Sequence, residues 1–238
     1  MNSAGKDYRQ LMVCNIAKST KQDNWVRTKF IKNSVGAQLL YVDISFSVRS
    51  CHDLRHVKSC KESFSLHFLE SNDESLDVSY NDFNKFKFVD TIAAEGRFDP
   101  GNVDHAFNFK TRRIVLGGEN GGDDIKNGFY LALRDRGACL SVQYIKIYYK
   151  YCPEVSDKFV RFPITMTSRS QYEQVAAKGE CIDNAVLDRD KRALGFPIKY
   201  CTGNGIWSQR DAGGCYCDKG FEESAQDKDK RKCIGKLQ

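Results

Sequence analysis

The sequence lacks any apolar run that could cross a membrane, since no stretch approaches the ~18 apolar residues of a membrane span. Residues 1–10 are polar, so no signal peptide opens the chain. The sequence also has only four histidines, no Cys-x-x-Cys pair and no Asn-x-Ser/Thr acceptor. Zinc fingers and N-glycosylation are therefore left without support. We expect a chain that makes no membrane contact of its own.

A concentrated charge of one sign is missing too. The 37 basic residues are balanced by 31 acidic ones, for a net charge of +6. The densest basic run, residues 228–232, alternates with Asp227 and Asp229. A nucleic-acid site would need a basic face with interleaved aromatic residues, so no nucleic-acid partner is expected.

Enzyme motifs are also missing. The glycine-rich run 117–124 matches neither a dinucleotide-binding loop nor a P-loop. No histidine stands beside a nucleophile motif, and the adjacent carboxylates Asp123 and Asp124 suit solvent better than acid–base catalysis. We expect a protein that is not an enzyme and that carries no cofactor or metal.

Cysteine, by contrast, is abundant. The ten cysteines are even in number, and the last six crowd into the final third, which is typical of a disulfide framework in an oxidising compartment. Disulfide chemistry without a signal peptide predicts that the sequence is a fragment. The best zinc alternative, Cys51, His52, His56 and Cys60, matches no common finger spacing.

Alternation of apolar and polar residues predicts strands. In Gln38–Arg49 the odd and even positions separate into an apolar row, which predicts a core face, and a polar row, which predicts solvent or a groove lining. No helical period persists beyond about two turns, so the fold class expected is all-β, an antiparallel jelly-roll β-sandwich. The other strands predicted before residue 117 are Leu11–Cys14, Trp25–Ile31, Glu62–Leu69, Phe86–Ile92, Val103–Phe109 and Arg112–Leu116.

The stretch from Asn127 to Cys152 is predicted to be a long hairpin. It opens with Asn-Gly, which tolerates the positive φ of a tight turn. A strand pattern follows, residues 134–137 break it, and a second strand is expected over Cys139–Tyr151. This hairpin would carry two cysteines and serve as the central element of the sandwich.

Strand periodicity fades after Pro153, and a region with so little core needs disulfides. We place a boundary near residue 155, with a jelly-roll domain at 1–155. A sushi-like module follows at 156–216, and the start of an EGF-like unit at 217–238. If Cys152 belongs to the second module, the cysteines divide four and six, both even.

The sushi pattern is carried by Cys152, Cys181, Cys201 and Cys215, with Trp207 two residues after a glycine. The resemblance implies first-to-third and second-to-fourth pairing, hence Cys152–Cys201 and Cys181–Cys215. Cys217 and Cys233 are spaced like the first pair of an EGF-like unit, which implies Cys217–Cys233.

Arg49 ends the strand Gln38–Arg49 on its polar face, which it shares with Ser47. A strand-borne guanidinium can anchor a ligand carboxylate by a bidentate bond; an ordinary surface arginine is the alternative. Carboxylates in the run 117–124 also leave open a secreted carbohydrate-binding jelly roll with a calcium-binding loop there, although a plain loop is the simpler interpretation.

An ordered set of motifs resembles the start of the ectodomain of Eph receptor tyrosine kinases and covers nearly the whole chain. The motifs are Val13–Asn15, Gln22–Trp25, Phe46–Arg49 before Cys51, Ser59–Phe64, Val89–Ala94, Asn127–Ala132, Gly137–Cys139, Tyr148–Pro153 and Phe162–Met166.

The resemblance implies an ephrin-binding jelly roll with disulfides Cys14–Cys139 and Cys51–Cys60, followed by part of a cysteine-rich region. A long apolar loop of the ephrin would enter a channel beside Cys14–Cys139, and Arg49 would meet an acidic group of the ephrin. The loop before Asn127 would fold over the ligand. The residues that the resemblance assigns to this site are Val13, Cys14, Ser47, Arg49, Ile125, Lys126, Cys139, Ser141 and Gln143.

The resemblance also implies partners and location: ephrins on an opposing cell, and other receptor copies bound through the cysteine-rich region. The chain would be the extracellular part of a single-pass plasma-membrane receptor whose kinase is absent here. Three departures stand out. Members usually have further strand-forming sequence before Leu11, a Pro-Leu-Thr in the loop 117–126, and Asp where Ser50 stands.

Overall fold

The computed structural model describes residues 10–14, 22–54, 59–74, 82–96, 107–118, 124–188, 196–224 and 232–236. The chain forms two compact units, Met1–Gly36 with Leu40–Tyr148, and Ala37–Leu39 with Tyr149–Gln238. In the described ranges the regular structure is strand, apart from two 3₁₀ helices, Cys51–Leu54 and Asp82–Lys85. The predicted domain boundary near 155 stays a prediction.

The first unit is an antiparallel β-sandwich, so the predicted fold class is confirmed. One sheet has the strand order β1-β9-β4-β7; the other has the order β2-β8-β5-β6, and β3 also pairs with β8. The strands are β1 (Leu11–Val13), β2 (Asn24–Arg27), β3 (Ile31–Lys32), β4 (Leu39–Val48), β5 (Ser63–Ser71), β6 (Lys87–Ala93), β7 (Asn108–Val115), β8 (Gly128–Asp135) and β9 (Leu140–Tyr148).

The core lies between the two sheets. The apolar row of β4 is buried as predicted, with Val42, Ile44 and Phe46 fully enclosed. Phe46 meets Phe64 of the opposite sheet edge to face, with ring centroids 5.0 Å apart. Each such side chain contributes roughly 1.5–3 kcal/mol by leaving water, so this row fixes which face of β4 is internal.

The predicted hairpin of Asn127–Cys152 is wrong, because β8 and β9 lie in different sheets. Asp135 turns the chain between them: its Oδ1 accepts hydrogen bonds from the N–H groups of Gly137 (3.1 Å) and Ala138 (2.6 Å). Gly137 has a φ of +117°. The Arg-Asp-Arg-Gly break is therefore a corner between sheets rather than a hairpin turn.

Other strand boundaries differ from the alternation pattern. Trp25–Ile31 divides into β2 and β3, with Thr28 between them donating its N–H to the Leu131 carbonyl. The two strands predicted at Val103–Phe109 and Arg112–Leu116 are one strand, β7, and residues 103–106 lie outside the described residues. Pairing with β4 on one side keeps this strand continuous through its polar middle.

The second unit contains short paired strands around a small core. Val160, Phe162 and Cys215 are buried there, and Trp207 packs against them while its Nε1 donates to the Pro153 carbonyl at 2.7 Å. The strands are β10 (Tyr151–Cys152), β11 (Val155–Asp157), β12 (Val160–Phe162), β13 (Thr165–Met166), β14 (Gln174–Lys178), β15 (Glu180–Cys181), β16 (Ala185–Leu187), β17 (Ile198–Thr202), β18 (Trp207–Ala212), β19 (Cys215–Cys217), β20 (Phe221–Glu223) and β21 (Cys233–Gly235).

Five disulfides join all ten cysteines, and no cysteine is free. Each disulfide stays within one unit, two in the first and three in the second. Because Cys51 and Cys60 are bonded to each other, their thiolates are not available to a zinc ion. The pairs are those that the resemblances imply: Cys14–Cys139, Cys51–Cys60, Cys152–Cys201, Cys181–Cys215 and Cys217–Cys233.

Candidate ligand-binding groove

A groove of about 400 Å³ lies on the outer face of the β1-β9-β4-β7 sheet, where β4 ends and β9 begins. Its floor is polar and comes from the two paired strands, while its rim comes from β1, the first 3₁₀ helix and the residue before β7. The lining residues are Gln10, Met12, Ser47, Arg49, Asp53, Phe107, Cys139, Leu140, Ser141 and Gln143.

Hydrogen bonds hold the floor together. The Gln143 amide donates to Ser47 Oγ (3.4 Å) and to the Ser141 carbonyl (3.3 Å), and Ser45 Oγ donates to Gln143 Oε1 at 3.5 Å. The register of β4 and β9 shifts between Ser45 and Phe46. A bulge of this kind puts two residues of one strand opposite one of the other. The extra residue is Gln143 of β9, between Val142, which pairs with Phe46, and Tyr144, which pairs with Ser45. Gln143 lies two residues from Ser141 and so shares its groove face.

The Cys14–Cys139 disulfide ties β1 to the first residues of β9. In the antiparallel register Met12 pairs with Ser141 and Val13 pairs with Leu140. Paired residues point to the same face of a sheet, so Met12 belongs to the groove side and Val13 to the opposite side. Sequence reasoning named Val13 and missed Met12, yet the disulfide together with antiparallel pairing would have given this register.

The backbone at Arg49 is fixed from both sides. Its N–H donates to the Cys139 carbonyl at 3.0 Å. Just beyond it, the Glu62 carboxylate accepts from Ser50 Oγ (3.1 Å) and from the Cys51 N–H (2.7 Å). Charge-assisted bonds of this kind are stronger than neutral ones, so the strand end that carries Arg49 has a defined direction.

The rim combines charge with exposed apolar surface. Met12 is 71% exposed and Phe107 is 51% exposed. Arg49 is exposed, and within the described residues no carboxylate pairs with its guanidinium. The groove therefore offers an available cation, polar floor groups and an apolar rim, a combination that suits an amphipathic segment with an acidic group.

The same sheet face continues along β4 away from the groove. Asp43 is buried there and accepts hydrogen bonds from Thr111 Oγ1 (2.7 Å) and the Tyr148 hydroxyl (3.4 Å). Burial raises the pKa of Tyr148, and the Asp43 carboxylate raises it further. Tyr41 stacks on Tyr148 with centroids 5.3 Å apart. The polar row of β4 thus runs from the open groove into a closed, packed region.

Of the nine predicted site residues, five line the groove: Ser47, Arg49, Cys139, Ser141 and Gln143. Cys14 adjoins it through the disulfide. Val13 lines a second groove of about 230 Å³ between the edge strands β1 and β2, together with Leu11, Trp25 and Val142 among others.

Ile125 and Lys126 do not line the groove. They precede β8, and the groove residue Cys139 follows its other end. Because β8 has eight residues, its ends are roughly 26 Å apart at about 3.3 Å per residue. Half of the predicted lid at 117–126, namely residues 119–123, lies outside the described residues. Phe107, which sequence reasoning missed, lies at the rim immediately before β7.

Comparison with known proteins settles the family. Residues 1–152 match the Ephrin receptor ligand binding domain, and residues 153–217 match the Ephrin cysteine rich domain. The chain belongs to the ephrin receptor family. The resemblance predicted from its motifs is therefore confirmed, and a carbohydrate-binding jelly roll is not favoured.

Receptors of both named types are similar to this ephrin receptor chain. Ephrin type-B receptor 2 of Gallus gallus is 37% identical over 221 residues, which cover 90% of this chain and 20% of that receptor. Ephrin type-B receptor 3 of Xenopus laevis is 34% identical over 239 residues, covering 98% and 22%. Ephrin type-A receptor 4-B of Xenopus laevis is 36% identical over 228 residues, covering 94% and 21%. The chain thus spans about a fifth of the length of the curated relatives it matches.

None of the helices in the described ranges is long and apolar enough to cross a membrane. The described side chains also include no cluster of His, Cys, Asp and Glu that could hold a metal ion.

Proposed function

We propose that this chain is the extracellular ligand-recognition part of an ephrin receptor. It binds membrane-attached ephrins by accepting a ligand loop into the groove beside Cys14–Cys139. The observation that carries the proposal is that one groove of an Ephrin receptor ligand binding domain gathers Ser47, Arg49, Ser141 and Gln143 next to that disulfide.

The chemistry of the groove supports loop insertion. The exposed rim residues Met12 and Phe107 give apolar side chains of a ligand a surface that excludes water. The Gln143 amide and the serine hydroxyls on the floor can hydrogen-bond to the backbone of an inserted loop. Arg49 pairs with an acidic group of the ligand, and its guanidinium gives that contact a fixed, bidentate geometry.

Reversing the charge at Arg49 tests the proposal. Arg49→Glu places a carboxylate against the acidic group of the ligand, so we expect affinity to fall at least about thirtyfold, the range seen when a close interfacial charge pair is broken. The measurement is biolayer interferometry of the purified chain against immobilised ephrin-A and ephrin-B ectodomains.

Arg136→Glu is the matched control, because Arg136 is exposed, makes the same charge change and lies outside the groove. It should bind ephrin like the wild type. Full affinity in Arg49→Glu would remove Arg49 from the site. A wild-type chain with the five native disulfides that bound no ephrin would overturn the function.

The wider receptor is part of the same proposal. The complete protein spans the plasma membrane once and carries a cytoplasmic protein tyrosine kinase, as the resemblance implies. The cysteine-rich region contacts other receptor copies and so assists clustering at cell–cell contacts. Exposed apolar side chains support such contacts: Ile164, Tyr172 and Ile206 of the second unit are 57%, 85% and 66% exposed.

A further inference from the structure

A second polar groove lies on the outer face of the other sheet of the first unit, where β5 is flanked by β6 and β8. It has a volume of about 210 Å³, and none of the described residues that line it is acidic. The lining residues are Lys61, Ser63, Phe64, Ser65, His67, Phe88, Thr91, Arg134 and Arg136.

Strand register places the cations of this groove beside hydroxyl groups. Ser65 pairs with Arg134 of β8 on one side and with Thr91 of β6 on the other. Two residues along, Arg136 follows Arg134 on the same side of the groove. Lys61 reaches it because its N–H donates to the Gly137 carbonyl at 3.0 Å. The groove thus combines hydroxyl groups of β5 and β6 with Arg134 of β8 and with the cations of Lys61 and Arg136, which lie just before β5 and just after β8.

Two of these cations are available to a ligand. Arg134 is already engaged, since its Nε and Nη2 donate to the Asp23 carboxylate at 2.6 and 2.7 Å. Within the described part of the chain, no carboxylate pairs with Lys61 or Arg136. Burial lowers the pKa of His67, and the charges of Arg134 and Arg136 lower it further, while the Asp23 carboxylate acts in the opposite direction.

His67 lies in the wall of this groove. The side chain is only 7% exposed, and its Nε2 is 2.9 Å from Ser65 Oγ. Its Nδ1 is buried and has no hydrogen-bond partner among the described residues. Buried polar atoms are normally paired, but this nitrogen is enclosed by protein, so a ligand in the groove does not reach it.

Phe88 indicates the kind of ligand. Its ring is 60% exposed at the groove edge, next to His67, with centroids 5.7 Å apart. An exposed ring offers a π-face to the C–H groups of a sugar. A peptide strand is disfavoured, because β5 is hydrogen-bonded along both edges and has no free backbone groups for pairing.

We propose that this groove binds a sulfated sugar of an extracellular glycan chain. Lys61 and Arg136 pair with a sulfate group, the hydroxyls of Ser63 and Thr91 donate to its oxygens, and Phe88 packs against the sugar ring. The site lies on the opposite sheet from the ephrin groove, so both ligands can bind one chain. The proposal does not depend on ephrin binding.

The test uses a fully sulfated heparin hexasaccharide and the same hexasaccharide after complete desulfation, both measured by isothermal titration calorimetry. The wild type should bind the sulfated form and not the desulfated one. Lys61→Glu and Arg136→Glu should each weaken binding at least about tenfold, because each reverses a cation that pairs with the sulfate. Phe88→Ala should weaken binding of the hexasaccharide but leave binding of inorganic sulfate unchanged.

Arg49→Glu is the matched control, since it makes the same charge change in the ephrin groove, and it should keep the affinity for the hexasaccharide. A ¹H–¹⁵N spectrum that keeps the folded positions of the Trp25 and Trp207 indole signals shows that the Lys61 and Arg136 variants are folded. NMR of the His67 ring supplies a local readout, because its resonances should shift when the sulfated probe is added. Unchanged hexasaccharide affinity in Lys61→Glu and Arg136→Glu, or no binding by the wild type, would overturn the proposal.

Discussion

Met12 and Val13 are neighbours in the chain, but the pleat of β1 sends them to opposite faces. The same rule puts Gln143, two residues after Ser141 in β9, on the groove floor. At the scale of residues, then, membership of the groove depends on register. A shift of one position moves a side chain from one groove to the other or into the core.

His67 makes the stability of the first unit depend on pH. Burial lowers its pKa, and the charges of Arg134 and Arg136 lower it further, while Asp23 acts in the opposite direction. In the unfolded state His67 has its ordinary pKa, so the unfolded state takes up the proton first as the pH falls. The free energy of unfolding should therefore decrease as the pH falls through about 6.5 and continue to decrease until the folded state also binds the proton.

Denaturant unfolding between pH 8 and pH 5 measures this effect, with His67→Phe as the comparison. Phenylalanine keeps an aromatic ring beside Trp25 and Phe88 but cannot titrate, so this variant should lose part of the pH dependence. His52→Asn, changed at an exposed position, should retain it. If the free energy of unfolding changed equally with pH in the wild type and in His67→Phe, another group would be responsible for the pH dependence. The pKa of Asp23 is also lowered, and protonation of this carboxylate should reduce the free energy of unfolding separately, below about pH 4.

At the scale of elements, the β8–β9 corner decides the topology. A four-residue break between two amphipathic segments predicts a hairpin from sequence, yet here it carries the chain from one sheet to the other. The corner is held by the Asp135 carboxylate and by the hydrogen bond from Lys61 to Gly137. The first is a local turn and the second joins residues far apart in the chain, and the alternation of apolar and polar residues predicts neither bond.

Gly137→Ala should destabilise the first unit. The φ of +117° is strained for an L side chain, and an added Cβ would lie 2.5 Å from the Ser59 carbonyl oxygen. We expect a loss of about 2–3 kcal/mol in the free energy of unfolding, measured with urea. Gly36→Ala is the control: its φ is +64° but nothing lies within 4 Å of an added Cβ, so it should lose only about 1 kcal/mol. Equal losses would mean that the contact with Ser59 is unimportant.

At the scale of the whole molecule, each unit keeps its disulfides and one of the two tryptophans. Trp25 lies in the first unit and Trp207 in the second. The buried cluster around Val160, Phe162 and Cys215 is small, so disulfides must supply much of the stability of the second unit. The two units should therefore respond independently to loss of a disulfide.

Removing Cys181–Cys215 with paired alanine substitutions should unfold the second unit alone. The bridge closes a loop of 34 residues, which corresponds to about 4 kcal/mol of loop entropy. In ¹H–¹⁵N spectra the indole signal of Trp207 should move to its unfolded position while that of Trp25 stays. Removing Cys51–Cys60, a separation of 9 residues in the first unit, should cost about 3 kcal/mol and leave the Trp207 signal in place. Simultaneous loss of both signals would contradict independent units.

Period-two alternation and ordered motifs are local properties of the chain, so the all-β class, the core row of β4 and the family could be predicted from the sequence. Its motifs also assigned Ser47, Arg49, Cys139, Ser141 and Gln143 to the groove that they line. The sequence did not predict that β8 and β9 belong to different sheets, that Met12 faces the groove, or that Phe107 reaches its rim; these follow from the folded arrangement. The fold also places Lys61, Arg136 and His67 around one groove. These facts depend on pairing between strands distant in the sequence, where one bulge or one corner changes which face a side chain occupies.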